Sequence, residues 1–217
     1  MVKDSNADGL YLGLNGTTQG AAEETVDGQL MLTAKNMALY LPETVDLENN
    51  KFELSYDYNI NNASYSGRSF RVYLGNSALT KDSTAGTESE SFTASTDSAF
   101  FHMCDIGKAV YTSSSVDTIS AGSVVAGLQQ IGTGSIADAT WYKVTMTADK
   151  DGVSVKYVPY TDYAGGVLSE TSVIEGAGSY VPGAAKSLVS VRFMATAVAN
   201  ELYDNISYTI TPVTTTP

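Results

Sequence analysis

The sequence predicts an all-β chain folded as an antiparallel β-sandwich of the jelly-roll kind, and three observations carry the prediction. From Lys51 to Ile60, Phe52, Leu54, Tyr56, Tyr58 and Ile60 alternate with Lys51, Glu53, Ser55, Asp57 and Asn59. That period of two marks a strand with one face buried. Two apolar runs, residues 141–148 and 153–158, flank the Asp-Gly pair at 151–152, a strong hairpin signal. Finally, about ten short strand-like segments follow one another with no helical periodicity longer than about two turns, as in sandwiches of antiparallel sheets.

Taken in order, residues 1–9 are polar, and residues 9–14 form a short apolar run that ends at the turn pair Asn15-Gly16. Residues 15–27 read as a polar loop carrying Glu23, Glu24 and Asp27. Residues 29–33 and 37–41 read as strands, and the acidic segment from Pro42 to Asn50 as a loop. After the strand at 51–60 comes NNASYSG, then a second alternating run at 69–76, with Phe70, Val72 and Leu74 opposed to Arg71 and Tyr73. Residues 51–76 are therefore read as one β-hairpin. Residues 77–98 are rich in Ser, Thr, Ala and Glu and read as a long surface excursion. Strand character returns at 99–106 and 109–113, and weakly at 123–128. Residues 160–182 hold many glycines and three tyrosines and read as a loop around one short strand. The last strands are 188–195 and 202–210. First and last strands of such sandwiches often lie side by side, which would make 202–210 the closing strand. The tail TPVTTTP cannot pack a core and is linker-like. Residues 1–211 are read as a single module and 212–217 as a Thr/Pro linker to other modules of a longer polypeptide.

Composition narrows the function. Of the 217 residues, 43% are hydrophobic and only 17% charged, a balance that suits pleated, half-buried surfaces. Such a chain is long enough to bury roughly 70% of its unfolded surface. The net charge of −12 argues against nucleic acid, which needs a basic footprint, and against an anionic membrane. A neutral polymer or a cation fits better. Cys104 is the single cysteine, so no internal disulfide can form. The first residues contain no apolar stretch of signal-peptide type, and no apolar run approaches the 18 residues of a membrane span. A secreted, extracellular monomer is expected, its signal lying outside this sequence.

Three stretches together resemble the concanavalin-like and jelly-roll carbohydrate-binding modules of bacterial polysaccharide-degrading enzymes. They are KFELSYDYNI with RSFRVYLGN, WYKVTMTADKDGVSVKY, and SVRFMATAVANELYDNISYTI. The Thr/Pro tail is similar to the linkers of cellulosomal and other multi-modular plant-cell-wall enzymes. The resemblance implies a β-sandwich, polysaccharide binding and a structural calcium ion. Asp204 matches the position at which related modules hold that ion. Glu23 and Glu24 would join it if the terminal strands pair.

Sugar recognition needs flat apolar faces for pyranose rings and polar groups for hydroxyls, and 14 tyrosines suit both demands. Alternation turns Tyr56, Tyr58, Tyr142 and Tyr208 inward. The opposite face of the expected hairpin carries Asp57, Asn59, Arg71 and Tyr73, which could line one polar sheet surface. Trp141 is a possible stacking platform, and Tyr160 and Tyr163 sit beside Asp162 past a strand end. These seven (Asp57, Asn59, Arg71, Tyr73, Trp141, Tyr160 and Tyr163) are the candidate ligand-binding residues.

Catalytic readings find less support. His102 is the only histidine, which excludes a zinc site built from several, and no Gly-x-Ser-x-Gly elbow is present. His102 and Cys104 share a strand face and read as packing residues. No Glu-x-Asp-x-x-Glu pattern occurs. Glu53 and Asp57 lie about 13 Å apart along one strand, too far for either glycosidase geometry. A non-catalytic module targeting plant cell-wall polysaccharide (β-glucan, xyloglucan, mannan or pectin) is the leading expectation. A structural or adhesive cell-surface module is the alternative, ahead of a lyase or hydrolase domain.

Overall fold

The computed structural model describes residues 2–3, 11–14, 22–24, 28–33, 36–60, 69–75, 98–105, 109–113, 129–137, 139–178, 186–195 and 200–213, with side chains within 28–29, 41–59, 136–177, 186–191 and 202–213. All secondary structure among these residues is β, in two antiparallel sheets. The first sheet runs β1 (Val2–Lys3), β2 (Tyr11–Leu14), β5 (Asn36–Asp46), β15 (Ser187–Ala195), β7 (Ser69–Gly75), β8 (Ser98–Asp105), β9 (Ala109–Ser113), β10 (Gln129–Ser135). The second runs β13 (Val167–Leu168), β12 (Val153–Asp162), β11 (Trp141–Ala148), β6 (Asn50–Ile60), β16 (Asn200–Pro212), β4 (Leu30–Thr33), β3 (Ala22–Glu24). A further strand, β14 (Ile174–Gly178), shares the outer edge of β12. The fold is an all-β sandwich.

Alternation decides which face is buried. Along β6, Phe52, Leu54, Tyr56 and Tyr58 are at most 1% exposed. Their neighbours in register on β11, Ala148, Met146, Val144 and Tyr142, are buried with them. Val155 and Tyr157 of β12, Tyr203 and Ile206 of β16, Ile174 of β14, Leu41, Val45, Leu188 and Val191 of the first sheet, and Leu47 and Ile136 between strands complete this described core. Four of its five largest fully buried side chains are tyrosines. Their rings tile together: Tyr203 lies against Tyr56 and Tyr58, and Tyr142 meets Tyr157 edge-on. Buried hydroxyls need partners, and Tyr142 Oη accepts the Ala137 N–H at 2.9 Å.

The expected Asp-Gly hairpin is present: β11 and β12 pair from Ala148↔Val153 outward. Asp149 organises its turn by accepting the Asp151 N–H at 2.9 Å. The corner between the sheets, residues 47–49, is built similarly. Asp46 accepts the Glu48 N–H and the Asn49 side-chain amide, and the Val213 N–H donates to the Asn49 carbonyl. β16 thus reaches Pro212, and Val213 is also held.

Several expectations need correction. Residues 51–60 and 69–76 do not form a hairpin: β6 pairs with β11 and β16 in the second sheet, while β7 pairs with β15 and β8 in the first. Alternation reveals which face is buried but not which strand is the neighbour. The eight residues 61–68 exceed the 2–5 of usual hairpin loops. The last strand does not pair with the first. It lies inside the second sheet between β6 and β4, whereas β1 and β2 belong to the other sheet. Pro42 does not end its strand; β5 continues to Asp46, with a register shift against β15 around it. Irregular pairing of this kind tolerates a residue without an N–H. Glu23 and Glu24 stand in a strand, not a loop, and β12 runs on to Asp162. Of the surface excursion expected at 77–98 only Ser98 is described, and it opens β8; the rest of it, the weak strand at 123–128 and the tail beyond 213 lie outside the described residues.

Replacing a residue of this core should be costly while its outward neighbours tolerate change. Leu54→Ala should lower stability by about 2–5 kcal/mol, and Thr209→Ala on the exposed face by no more than about 0.5 kcal/mol. Urea unfolding of the two variants checks this.

Candidate functional site

The second sheet turns the other side of each strand away from the core. On that outer face Asp57 and Asn59 of β6 stand beside Lys143 and Trp141 of β11, and beside Asp204 and Leu202 of β16. Asp57 and Asp204 are direct cross-strand partners. Like charges so placed repel, and Asp57 is only 1% exposed. A carboxylate that deep must be paired or hydrogen-bonded.

A bulge supplies part of the answer. Between Asp204↔Asp57 and Ser207↔Ser55 the register shifts, with Asn205 and Ile206 both set against Tyr56. Asn205 takes φ +49°, a left-handed conformation that Asn accepts better than most residues. From there its side-chain amide donates to Asp57 Oδ2 at 2.7 Å, while its backbone N–H donates to Asp204 Oδ1 at 2.8 Å. One bulged residue therefore ties the two carboxylates together.

Two tyrosines complete the set. Tyr160, at the end of β12, donates its hydroxyl to Asp57 Oδ1 at 2.8 Å. Tyr163, first residue of the turn 163–166, donates to Asp204 Oδ2 at 2.7 Å. All four carboxylate oxygens are thus engaged by donors, and hydrogen bonds to charged acceptors are the stronger kind. Tyr163 follows β12 and Asp204 lies on β16, with β11 and β6 between those strands in the sheet. The Tyr163 ring lies flat on Trp141, with centroids 4.1 Å apart and planes within 6°. Tyr160 meets Tyr163 edge-on at 5.0 Å. The result is a half-buried aromatic surface over an acid pair of which Asp57 is buried and Asp204 half-buried.

The acids act back on the phenols. Burial foremost, then the hydrogen bond to Asp57 and the charges of Asp57 and Asp204, raises Tyr160 far above the ordinary tyrosine range. Burial, the hydrogen bond to Asp204 and the charges of both aspartates do the same to Tyr163. Both hydroxyls keep their protons at any physiological pH.

Of the residues singled out in the sequence, Asp57, Asn59, Trp141, Tyr160, Tyr163 and Asp204 gather on this face. Arg71 and Tyr73 do not join them, since β7 lies in the first sheet. The expectation that Asp57, Asn59, Arg71 and Tyr73 line one surface falls with the hairpin it assumed. Asn205 escaped sequence reasoning. Its only signal is Asp-Asn inside an otherwise alternating strand, a place where a residue tolerant of left-handed backbone marks a bulge.

The calcium expectation set Asp204 beside Glu23 and Glu24. Those two occupy β3, which β4 separates from β16. At Asp204 a phenol proton and an amide proton point at the oxygens, where calcium would need free lone pairs. Among the described residues no group of three or more His, Cys, Asp or Glu side chains converges on one point. Asp204 therefore stands apart from the strand that carries Glu23 and Glu24.

No protein-family model and no curated protein sequence matches this chain. Solved structures do. A winged bean acidic lectin in complex with methyl-α-D-galactose aligns with a TM-score of 0.51 at 14% identity, covering 94% of this chain and 93% of its own. A legume lectin-like domain from Entamoeba histolytica aligns with 0.52 at 9% identity, covering 94% and 90%. An alginate lyase aligns with 0.51 at 10% identity, covering 93% and 89%. At such identities the likeness is one of fold alone: the antiparallel β-sandwich that these structures share.

Two measurements test the site's electrostatics. The folded values of Tyr160 and Tyr163 lie above the unfolded value near 10. Their contribution is therefore full below about pH 10 and is lost as pH rises through the folded values. Stability should fall above about pH 10, and less steeply in a Tyr160→Phe/Tyr163→Phe double variant, as read by urea midpoints across that range. In addition, excess EDTA should leave the melting temperature unchanged; a clear drop would show that a metal ion holds the fold.

Proposed function

We propose that the chain is a secreted, non-catalytic carbohydrate-binding module that holds an appended enzyme on plant cell-wall polysaccharide. One observation carries the reading. Trp141, Tyr160 and Tyr163 form an aromatic surface on the outer face of the second sheet, oriented by hydrogen bonds to Asp57 and Asp204. An aromatic face bordered by hydrogen-bonding groups is what a pyranose needs, with C–H groups against the ring and hydroxyls on the acceptors. The likeness to a lectin solved with a galactoside supports the reading at the level of the frame. The net charge of −12 favours neutral chains such as β-glucan, xyloglucan or mannan over pectin. The segment beyond the last strand, rich in Thr and Pro, suits a tether between modules.

The site's chemistry supports binding over bond cleavage. A tyrosine acting as a general base must lose its proton, and the two aspartates oppose that for Tyr160 and Tyr163. A glycosidase needs its two carboxylates open to the scissile bond. Here both oxygens of Asp57 and of Asp204 already accept internal donors.

Affinity electrophoresis on β-glucan, xyloglucan, mannan and pectin tests the reading. The chain should be retarded by at least one neutral polymer without releasing reducing ends. Trp141→Ala should weaken that interaction by about 2 kcal/mol, roughly 30-fold. Retardation lost in Arg71→Ala or Tyr73→Ala but kept in Trp141→Ala would move the site to β7. New reducing ends or unsaturated products would make the chain an enzyme.

A further inference from the structure

Tyr163 sits on Trp141 as a sugar would. Its ring face lies on the indole at 4.1 Å, and its hydroxyl proton is on Asp204 Oδ2 at 2.7 Å. Those two contacts are the pair a pyranose makes with such a surface. Tyr160 places a second hydroxyl proton on Asp57 Oδ1, as a neighbouring sugar hydroxyl would.

Beside them, Asn59 is 5% exposed, and its Oδ1 has no hydrogen-bond partner among the described residues. It is the cross-strand partner of Trp141 and shares the outer face with Asp57, two residues away. A buried carbonyl without a donor is destabilising, and a hydroxyl entering over β6 would satisfy it.

The contacts that hold the covering ring are separate from those that hold its turn. The 163–166 turn holds its shape through contacts that do not involve the phenol. The Gly166 N–H donates to the Tyr163 carbonyl, the Gly165 N–H to Asp162 Oδ1, and the Thr161 hydroxyl to the Val167 carbonyl. Gly166 takes φ +67°, and a Cβ on Gly165 would collide with the Asp162 carboxylate. The backbone is therefore fixed by its own turn chemistry. Swinging the Tyr163 ring out about its side-chain torsions costs its stack on Trp141, its edge contact with Tyr160 and one hydrogen bond.

We propose, resting on the carbohydrate reading above, that Tyr163 is an internal stand-in for the ligand. It closes a subsite one sugar ring wide, floored by Trp141 and bordered by Asp57, Asn59 and Asp204, and a neutral hexopyranose displaces it. Once Tyr163 leaves, the groups left without a donor beside Trp141 are two acceptors, Asp204 Oδ2 and Asn59 Oδ1, with Lys143 next to Asp57 in the same row. A ligand must bring hydroxyl donors. A uronate, which places an acceptor-only carboxylate there, is rejected.

Trp141 is the only tryptophan, so its fluorescence reads this subsite alone. The 217-residue chain and its variants are titrated with the methyl glycosides of galactose, glucose and mannose, with xyloglucan, and with methyl galacturonide as the charged control. Tyr163→Ala, with its seat already open, should bind the preferred neutral probe roughly tenfold tighter than the unmodified chain. Tyr163→Phe, which keeps the stack but not the hydrogen bond, should fall between them. Galacturonide should bind neither. Tightening toward a glycoside assigns the seat to a chain end, and tightening toward xyloglucan alone to a ring within a chain; both support the proposal. Equal loss of binding in Tyr163→Ala and Trp141→Ala would make Tyr163 part of the platform, overturning the stand-in while the carbohydrate reading survives. Neutral-sugar binding that neither substitution changes, or no binding by any variant, overturns both. Should Tyr163→Ala fail to fold, Tyr163→Phe decides: tighter binding supports the proposal and weaker binding overturns it.

Discussion

Two aspartates face each other across neighbouring strands, and the outer face of the second sheet is arranged around that contact. Asp57 and Asp204 are cross-strand partners, with Asp57 almost wholly buried. Left alone, such a pair would push β6 and β16 apart. Four donors prevent this: the amide and the backbone N–H of Asn205, and the hydroxyls of Tyr160 and Tyr163. The bulge at Asn205, the inward reach of Tyr163 and the stack on Trp141 are consequences of satisfying those oxygens. Lys143, the partner of Asp57 on its other side, adds positive charge to the same row.

The inner face follows a different logic. Four consecutive inward positions of β6 and the matching positions of β11 are buried in full register. A shift of one residue would expose all of them at once, so the sheet's register is firmly specified. That rigidity is what allows a site to be written on the outer side. Trp141 and Asn59 occupy one row, and Lys143, Asp57 and Asp204 the next, at spacings the ladder dictates. The tyrosines consumed by the core (Tyr56, Tyr58, Tyr157 and Tyr203) are those alternation sends inward. The two that reach the site come from the end of β12 and the turn after it, where the period no longer binds them.

Those differences explain what was legible in the sequence. The strand at 51–60, the Asp-Gly hairpin and the buried tyrosines could be read because each depends on a local period or a local turn. The pairing of β6 with β16, rather than with β7, could not. It depends on segments about 150 residues apart finding one another, and alternation looks the same for any partner. For the same reason Arg71 and Tyr73 read as neighbours of Asp57 when they belong to the opposite sheet. Six site residues could be named singly from residue type and position. Their convergence could not, because it rests on a bulge whose only trace is Asn205 beside Asp204.

The frame and the site therefore carry separate weight. Identities of 9% and 14% over nearly the whole chain show how little sequence such a β-sandwich demands. A lectin and an alginate lyase share that frame equally well, so the frame alone does not distinguish holding a glycan from cutting it. The binding reading proposed above rests on protons. Among the described residues, Tyr160 and Tyr163 keep their protons beside Asp57 and Asp204, and the oxygens of those aspartates are shared among internal donors. On that reading the face works as an apolar surface with hydrogen-bonding groups at its border, and the choice between holding and cutting a glycan is made by the site and not by the frame.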